Sequence, residues 1–215
     1  MFITPILFLV VGYSLMYVVG RPVIQFASSS LKLFLLADVP TFERQQDAFA
    51  AVNDEEIKKD ADDEIPSSQI EYPKGGYQYG EVIAESLDLD MPLYYGDTDE
   101  ILRQGAGQYM GSVYPGEVGT SLIGAHNGYG FGKFIGIEKG DIVKVKTTYA
   151  NYEYKVTKMD IRHKDDPEIE AALEQRDTPK IIFYTCYPVD SIGMTDERVF
   201  VFCDLVKGPV INPAK

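Results

Sequence analysis

The chain has 215 residues, of which 45% are hydrophobic, enough for one globular domain with a packed core and some additional length. It carries 33 acidic and 20 basic residues, a formal net charge of -13. Because binding to nucleic-acid phosphates requires a basic surface, this composition argues against a nucleic-acid partner.

Residues 2–20 carry no charged side chain. As a helix rising about 1.5 Å per residue they would reach roughly 28 Å, close to the hydrocarbon thickness of a bilayer. A cleaved signal peptide is the alternative, but no basic residue precedes the apolar stretch and no clear small-x-small cleavage site follows it. We therefore predict a retained membrane anchor within residues 1–37. Arg21 and Lys32 follow the span and, by the positive-inside rule, favour a cytoplasmic body.

Residues 38–71 are predicted to form an acidic, partly helical linker. Between residues 38 and 64 the chain has ten acids and three bases. Phe42, Phe49 and Val52 fall near one face of a possible helix, whereas the following acidic run is typical of a solvated segment.

From residue 72 to residue 215 the sequence consists of short alternating runs separated by Gly and Pro. This pattern predicts a mainly β domain with little helix, either a barrel or a sandwich. In chain order we expect one or two strands (79–96), a helical turn with a glycine-rich loop (101–119) and a strand ending in a turn (120–128). A hairpin bending near Ala150 and Asn151 (141–163) follows, then a short helix or loop (165–177) and two final strands (179–186 and 198–206).

The two cysteines are Cys186, at the end of one final strand, and Cys203, within the other. If Cys186 lies opposite Arg198 in a hairpin, Cys203 is five residues farther along, roughly 16 Å away, which exceeds the ~7 Å Cα limit for a disulfide. The odd offset also turns Cys203 to the opposite face. We therefore predict that Cys203 is a buried core residue and that Cys186 is a free thiol.

The chain has two histidines. His126 ends a predicted strand and is a candidate functional residue, although a satisfied histidine at a strand end is an equal alternative. His163 lies among charged residues and is predicted to be a surface residue. The glycines that follow His126 in "NGYGFG" lack the spacing and the Lys-Ser/Thr of a phosphate-binding loop, so we expect them to adopt positive φ angles in a turn.

Four fragments in order resemble the sortase family, over roughly residues 72–207. "YTCYP" at 184–188 with the downstream Arg198 resembles the family's TLxTC signature, and "SLIGAHN" resembles the strand that carries its histidine. The segments at 91–119 and 134–147 resemble the family's pieces before and after that histidine. Phe183 and Tyr184 precede the intact Thr185-Cys186 pair, and "HN" replaces the "HR" or "HT" of many members. "TCYP" with "ER" is most like class D, and the Asp-Pro-aromatic lid and C-terminal span of class C are not found.

The resemblance implies a closed β-barrel with short helices, in which Cys186, His126 and Arg198 are catalytic. It further implies that Thr185, Ala125 and Tyr187 bind substrate and that no cofactor or metal is used. If Arg198 is considered without the family pattern, the preferred interpretation is a surface ion pair with Glu197 or Asp196.

The activity implied is that of a cysteine transpeptidase. It would cleave an LPxTG-like sorting signal at the Thr–Gly bond and pass the acyl group to an amine, such as a cell-wall precursor. Its catalytic domain would lie outside the membrane of a Gram-positive bacterium, against the indication of Arg21 and Lys32. The alternatives are a sortase that polymerises pilins through a pilin lysine, a hydrolytic cysteine peptidase and a non-catalytic β-module.

Overall fold

A computed structural model describes residues 64–212, except 129, 192 and 194, together with Gly12. The predicted membrane anchor, apart from Gly12, and residues 38–63 of the predicted linker therefore lie outside the described residues. Among the residues that are described, no helix has the length and apolar character needed to span a membrane.

The described part of the chain is mainly β, as predicted. Two short α-helices, α1 (Asp99–Leu102) and α2 (Pro167–Glu174), accompany 3-10 helices at Ser67–Gln69, Glu85–Leu87 and Phe131–Gly136. The strands are β1 (Glu64–Pro66), β2 (Gln78–Ala84), β3 (Leu89–Tyr95), β4 (Ala106–Gln108), β5 (Gly119–Gly124), β6 (Ile142–Thr147), β7 (Asn151–His163), β8 (Pro179–Tyr187), β9 (Glu197–Lys207) and β10 (Val210–Asn212).

Eight strands close into a barrel in the order β2-β3-β4-β5-β8-β9-β7-β6. This closure decides between the barrel and the sandwich that the strand pattern left open. Side chains alternate between the barrel interior and its outer surface, as the twofold period of a strand requires. On β9, for example, Val199, Val201 and Cys203 join the interior core, whereas Phe200 belongs to a smaller cluster outside it.

Residues 64–66, within the predicted linker, form a strand. Strand β1 pairs in parallel with β10, with Glu64 opposite Val210 and Pro66 opposite Asn212. Ile65 is buried in this pairing and joins the interior core. A strand of three residues at the end of an acidic run has too few positions to show an alternating pattern, so it could not be predicted from the sequence.

The predicted hairpin is formed by β6 and β7, and the predicted helix after it is α2. The prediction for the glycines after His126 was wrong. Gly128, Gly130 and Gly132 are not among the residues with positive φ, and Gly132 lies within the 3-10 helix Phe131–Gly136 instead. A Cβ on Gly132 would lie 2.9 Å from the carbonyl carbon of Asn127, so this glycine permits a close backbone approach.

Two glycines with left-handed backbone provide a test of the barrel packing. Gly116 has φ +91°, and a Cβ there would lie 2.5 Å from Cζ of the buried Tyr152, whereas Gly76 has φ +86° and open space around it. We expect Gly76→Ala to cost about 1 kcal/mol of unfolding free energy through its backbone alone. Gly116→Ala should cost about 3 kcal/mol or more, because Tyr152 must also shift. Urea unfolding of a soluble form beginning at Asp38 measures both, and equal losses would contradict the packing at Gly116.

Candidate active site

The pairing of β8 with β9 places Cys186 directly opposite Arg198, as predicted. Directly opposed residues of antiparallel strands share one face, so both side chains lie on the same side of the sheet. Cys203 is 2% exposed and faces the interior, and the two cysteines are not bonded to each other. Burial raises the pKa of the Cys203 thiol, which keeps it protonated and leaves Cys186 as the reactive thiol.

The parallel pairing of β5 with β8 brings His126 to the same level. Gly124 pairs with Tyr184, and the Ala125 amide donates a hydrogen bond of 3.2 Å to the Tyr184 carbonyl. Two residues beyond Gly124 is His126, and two residues beyond Tyr184 is Cys186. The register therefore carries the imidazole and the thiol to one end of the barrel on adjacent chain segments.

Thr185 joins these two segments from inside the barrel. Its side chain is 1% exposed and its hydroxyl donates a 2.8 Å hydrogen bond to the Ala125 carbonyl. Ala125 is also buried, at 6% exposure. Both side chains point away from the Cys186 face and hold β8 against the segment carrying His126. A contact of Thr185 or Ala125 with substrate stays a prediction.

Tyr187 lies one residue beyond Cys186, so its side chain points to the opposite face of β8. It is half-buried and packs against the interior core. A contact between Tyr187 and substrate stays a prediction.

Arg198 is held by main-chain oxygens. It is 8% exposed, and its Nη1 donates to the carbonyls of Thr195 and Glu197 and to the Thr195 hydroxyl. Within the described residues it makes no ion pair, so the alternative of a structural salt bridge with Glu197 or Asp196 is not observed. Carbonyls orient the guanidinium without neutralising it.

The electrostatics of His126 are set mainly by burial, which lowers the pKa of its imidazole below the usual value. The carboxylate of Asp99 on α1 opposes this shift, and the nearby Arg103 adds to it. A neutral imidazole can accept the thiol proton, and the imidazolium so formed can protonate a leaving amine. His163, in contrast, is exposed beside Asp165, as predicted for a surface histidine.

A groove of 550 Å³ extends from Arg198 over the outer face of the sheet. Its floor is apolar, formed by Leu122 of β5, Tyr184 of β8 and Phe200 of β9. Helix α2 contributes Ile169 and Leu173 as one wall. This wall was not predicted from the sequence, although the i, i+4 spacing of these two apolar residues in a helix with three acidic residues could have indicated it.

Helix α2 is fixed in place by polar contacts at its start and by packing. Asp166 caps the helix by accepting a hydrogen bond from the Glu168 amide. Arg162 of β7 binds both carboxylates, at 3.3 Å from Asp166 and 2.8 Å from Glu168. Toward the other end, the Thr120 hydroxyl of β5 donates to the Ala172 carbonyl at 2.6 Å. The groove wall is therefore tied to two strands of the barrel.

Asn127 connects the histidine segment to the loop between β8 and β9. Its Nδ2 donates to the carbonyls of Pro188 and Ser191, at 3.3 and 3.2 Å. The resembling family often has arginine or threonine at this position. Arginine has no carbonyl acceptor and threonine has a shorter side chain, but these two contacts need only a donor, which the asparagine amide supplies. The residue next to His126 thus organises the loop that follows Cys186.

The sequence predicts neither a metal nor a cofactor. In residues 64–212, apart from the three left undescribed, no three His, Cys, Asp or Glu side chains form a group that could hold a metal ion. The chemistry derived below uses side chains of the chain itself.

A thiol, an imidazole and a fixed guanidinium at one end of a β-barrel form the set expected from the sequence. Comparison with protein-family models gives a match to the sortase domain over residues 82–206, more than half of the chain. The chain belongs to the sortase family. It is accordingly a cysteine transpeptidase, of the family that attaches proteins to the cell wall.

Known sortases are similar in sequence and in structure. Sortase D of Bacillus subtilis is 26% identical over 144 residues, which are 67% of this chain and 72% of the relative, and this supports the class D resemblance. The crystal structure of sortase C from Clostridium perfringens is 27% identical with a TM-score of 0.55, covering 62% of this chain and 72% of that one. The sortase C structure from Streptococcus pneumoniae gives 26% identity and a TM-score of 0.55, covering 62% and 70%.

The charges near His126 can be tested by titration. Because Asp99 raises the pKa of His126 and Arg103 lowers it, we expect Asp99→Asn to shift the pKa down and Arg103→Gln to shift it up. NMR titration of the imidazole protons measures both shifts, and His163 provides an internal reference in the same spectra. Shifts of the same sign in the two variants would contradict the electrostatic assignment.

The Asn127 contacts predict a local change in stability. Asn127→Asp keeps the size of the side chain, but a carboxylate cannot donate to the Pro188 and Ser191 carbonyls. We expect the amides of residues 189–191 to exchange with deuterium about fivefold faster, because roughly 1 kcal/mol of hydrogen bonding is lost. Ser191→Ala, which removes only a 3.5 Å contact, is the control. Unchanged exchange in Asn127→Asp would show that the loop is held by other contacts.

Proposed function

We propose that this sortase is membrane-anchored, cleaves an LPxTG-like sorting signal at the Thr–Gly bond and transfers the new carboxyl end to an amine, so attaching surface proteins to the cell wall. The observation that supports it best is the strand register. It sets Cys186 opposite Arg198 and brings the His126 segment alongside.

The first half of the reaction forms a thioacyl-enzyme. His126 accepts the proton of the Cys186 thiol, and the thiolate attacks the threonine carbonyl carbon. Arg198 donates to the oxyanion of the tetrahedral intermediate, or holds the substrate backbone beside it. When the C–N bond breaks, the His126 imidazolium gives its proton to the leaving glycine amine.

The second half reverses these roles. An incoming amine attacks the thioester carbonyl while His126 accepts its proton. The tetrahedral intermediate collapses, the C–S bond breaks and the Cys186 thiol is regenerated as a new amide forms. Hydrolysis would follow the same course with water in place of the amine, so the acceptor decides between transpeptidase and peptidase.

The sorting signal would lie in the groove over Leu122, Tyr184 and Phe200, with α2 on one side and the loop of residues 187–196 as a further wall. A solved structure of Clostridium perfringens sortase C, 26% identical with a TM-score of 0.56, contains a C-terminal cell wall sorting motif. That relationship supports a peptide of the same class for this chain.

The proposed location is the cell membrane of a Gram-positive bacterium, with residues 2–20 as a single span and the catalytic body outside. Support comes from the uncharged stretch and from the chemistry, since proteins bearing sorting signals emerge on the outer face. Protease added to intact cells should digest the body if it is extracellular. Protection until the cells are lysed would favour the orientation that Arg21 and Lys32 indicate.

A pilin lysine is the second candidate for the amine acceptor. Structural similarity to class C sortases supports it, including a Streptococcus pneumoniae enzyme whose structure is described as informative on pilin substrate specificity. Incubation of the enzyme with a sorting-signal peptide and either a cell-wall precursor amine or a lysine-containing pilin domain would distinguish the two acceptors by the product formed.

The thiol and the two histidines give the central test. Cys186→Ala should abolish cleavage of a sorting-signal peptide and leave the far-ultraviolet circular dichroism unchanged. His126→Ala should lose activity by about 10² to 10⁴-fold, as expected for a general acid–base group, whereas the exposed His163→Ala should not. Wild-type rates in Cys186→Ala, or reversed effects of the two histidines, would contradict the mechanism. Rates measured with and without added amine separate transfer from hydrolysis.

The second test concerns Arg198. Arg198→Lys keeps the positive charge, but lysine lacks the planar fork that can bind Thr195 and Glu197 carbonyls and substrate at once. We expect kcat/KM to fall about 10²-fold or more, as for loss of an oxyanion donor. Lys164→Arg, at an exposed cation lining the same groove, is the matched control. Near-full activity of Arg198→Lys would leave Arg198 a purely structural role.

A further inference from the structure

A row of four paired residues crosses the outer face of the sheet beside the catalytic groups. Gly107 of β4 pairs with Gly124 of β5, Gly124 with Tyr184 of β8, and Tyr184 with Phe200 of β9. Two adjacent glycines leave a strip without side chains on this face. Side chains from either end can therefore approach each other over bare backbone.

Tyr184 occupies this strip from one end. A Cβ on Gly124 would lie 2.7 Å from the Tyr184 hydroxyl oxygen, so the ring lies across the neighbouring strand and points toward β4. Asp97 approaches from the other end, because a Cβ on Gly107 would lie 3.2 Å from its Cα. Both residues line the groove that runs from Arg198.

Four carboxylates line the groove, those of Asp97, Asp165, Asp166 and Glu170, and Asp97 is the one whose charge acts on Tyr184. The two cations that line the groove are already engaged, Lys164 with Asp196 at 3.0 Å and Arg198 with main-chain carbonyls. In the part of the chain that the structure describes, no cation forms an ion pair with Asp97. Burial raises the pKa of this carboxyl, which shows that the fold holds it at an electrostatic cost.

Tyr184, like Asp97, suits a cationic ligand. Burial, and next the charge of Asp97, raise the pKa of Tyr184 to about 12, so its hydroxyl stays neutral and presents an acceptor oxygen. A carboxylate and a phenol oxygen together with an aromatic face match an ammonium or guanidinium group. The structure therefore offers a cation subsite in the floor of the groove.

We propose that Asp97 and Tyr184 select sorting signals that carry Lys or Arg immediately before the threonine. This inference rests on the proposed function. Tyr184 is two residues from Cys186 on the same face, a distance of about 7 Å along the strand. A lysine side chain adjacent to the scissile threonine spans that distance, whereas the backbone at the cleavage point stays beside Cys186 and Arg198.

The experiment compares two peptides that differ only before the threonine, one with lysine and one with norleucine, its uncharged analogue. The readout is the ratio of their kcat/KM values at constant amine concentration. We expect the wild type to prefer the lysine peptide about tenfold, as for a hydrogen bond to a charged group, and Asp97→Asn to bring the ratio close to one. Glu174→Gln, the same charge change at an exposed residue of α2, should keep the preference.

Charge reversal gives a second, independent reading. Asp97→Lys should favour a peptide with glutamate before the threonine over the norleucine peptide.

Equal wild-type rates for the lysine and norleucine peptides would overturn the subsite while leaving the proposed function intact. An equal loss on both peptides in Asp97→Asn would also overturn it, by showing a structural role. If Asp97→Asn changed only the dependence of the rate on amine concentration, Asp97 would bind the amine acceptor and the proposed subsite would be wrong. Cleavage of neither peptide by the wild type would contradict the proposed function as well.

Discussion

Strand β8 forms hydrogen bonds with β5 on one side and with β9 on the other, and the active site depends on the register of both pairings. One sets Cys186 opposite Arg198, and the other aligns the end of β5 so that His126 follows at the level of the thiol. The buried bond from Thr185 to the Ala125 carbonyl closes this arrangement from within. A shift of one residue in β8 would turn Cys186 into the barrel and Thr185 out of it.

The two faces of β8 have different roles, the inner face in stability and the outer face in chemistry. Phe183 and Thr185 face the interior, where Phe183 packs edge-on against Phe131 with ring centroids 5.6 Å apart. Tyr184 and Cys186 face outward, where Tyr184 lies 6.2 Å from the ring of Phe200. Residues adjacent in sequence therefore serve different functions, and the motif around the cysteine is at once a core strand and a catalytic surface.

Several features of the site follow from local sequence. The opposition of Cys186 and Arg198 and the burial of Cys203 both come from the hairpin and the alternation of strand side chains, which need only short-range pattern. The inward orientation of Ala125 and Thr185 could not be read in the same way, because a motif shows which residues recur and not which face they occupy.

Features that depend on contacts between distant segments could not be predicted. The wall formed by α2 relies on Arg162 and on the Thr120 bond to Ala172, 52 residues apart. Asp97 approaches Gly107 through a loop, and the bare strip that it shares with Tyr184 exists only once β4 and β5 are paired. Strand β1 likewise needs β10, at the other end of the chain, to be recognisable as a strand. In each case the sequence of one partner alone does not indicate the contact.

Closure of the barrel limits how a peptide can be recognised. Each of the eight strands has a neighbour on both sides over at least part of its length, and strands β5, β8 and β9, which carry the site, are paired with one another, so an extended peptide cannot insert between them as an additional strand. At the site, affinity must come from side chains on the outer face and from the surrounding loops. Substitutions there change no strand pairing, so selectivity for different peptides can diverge among related enzymes while the scaffold stays the same.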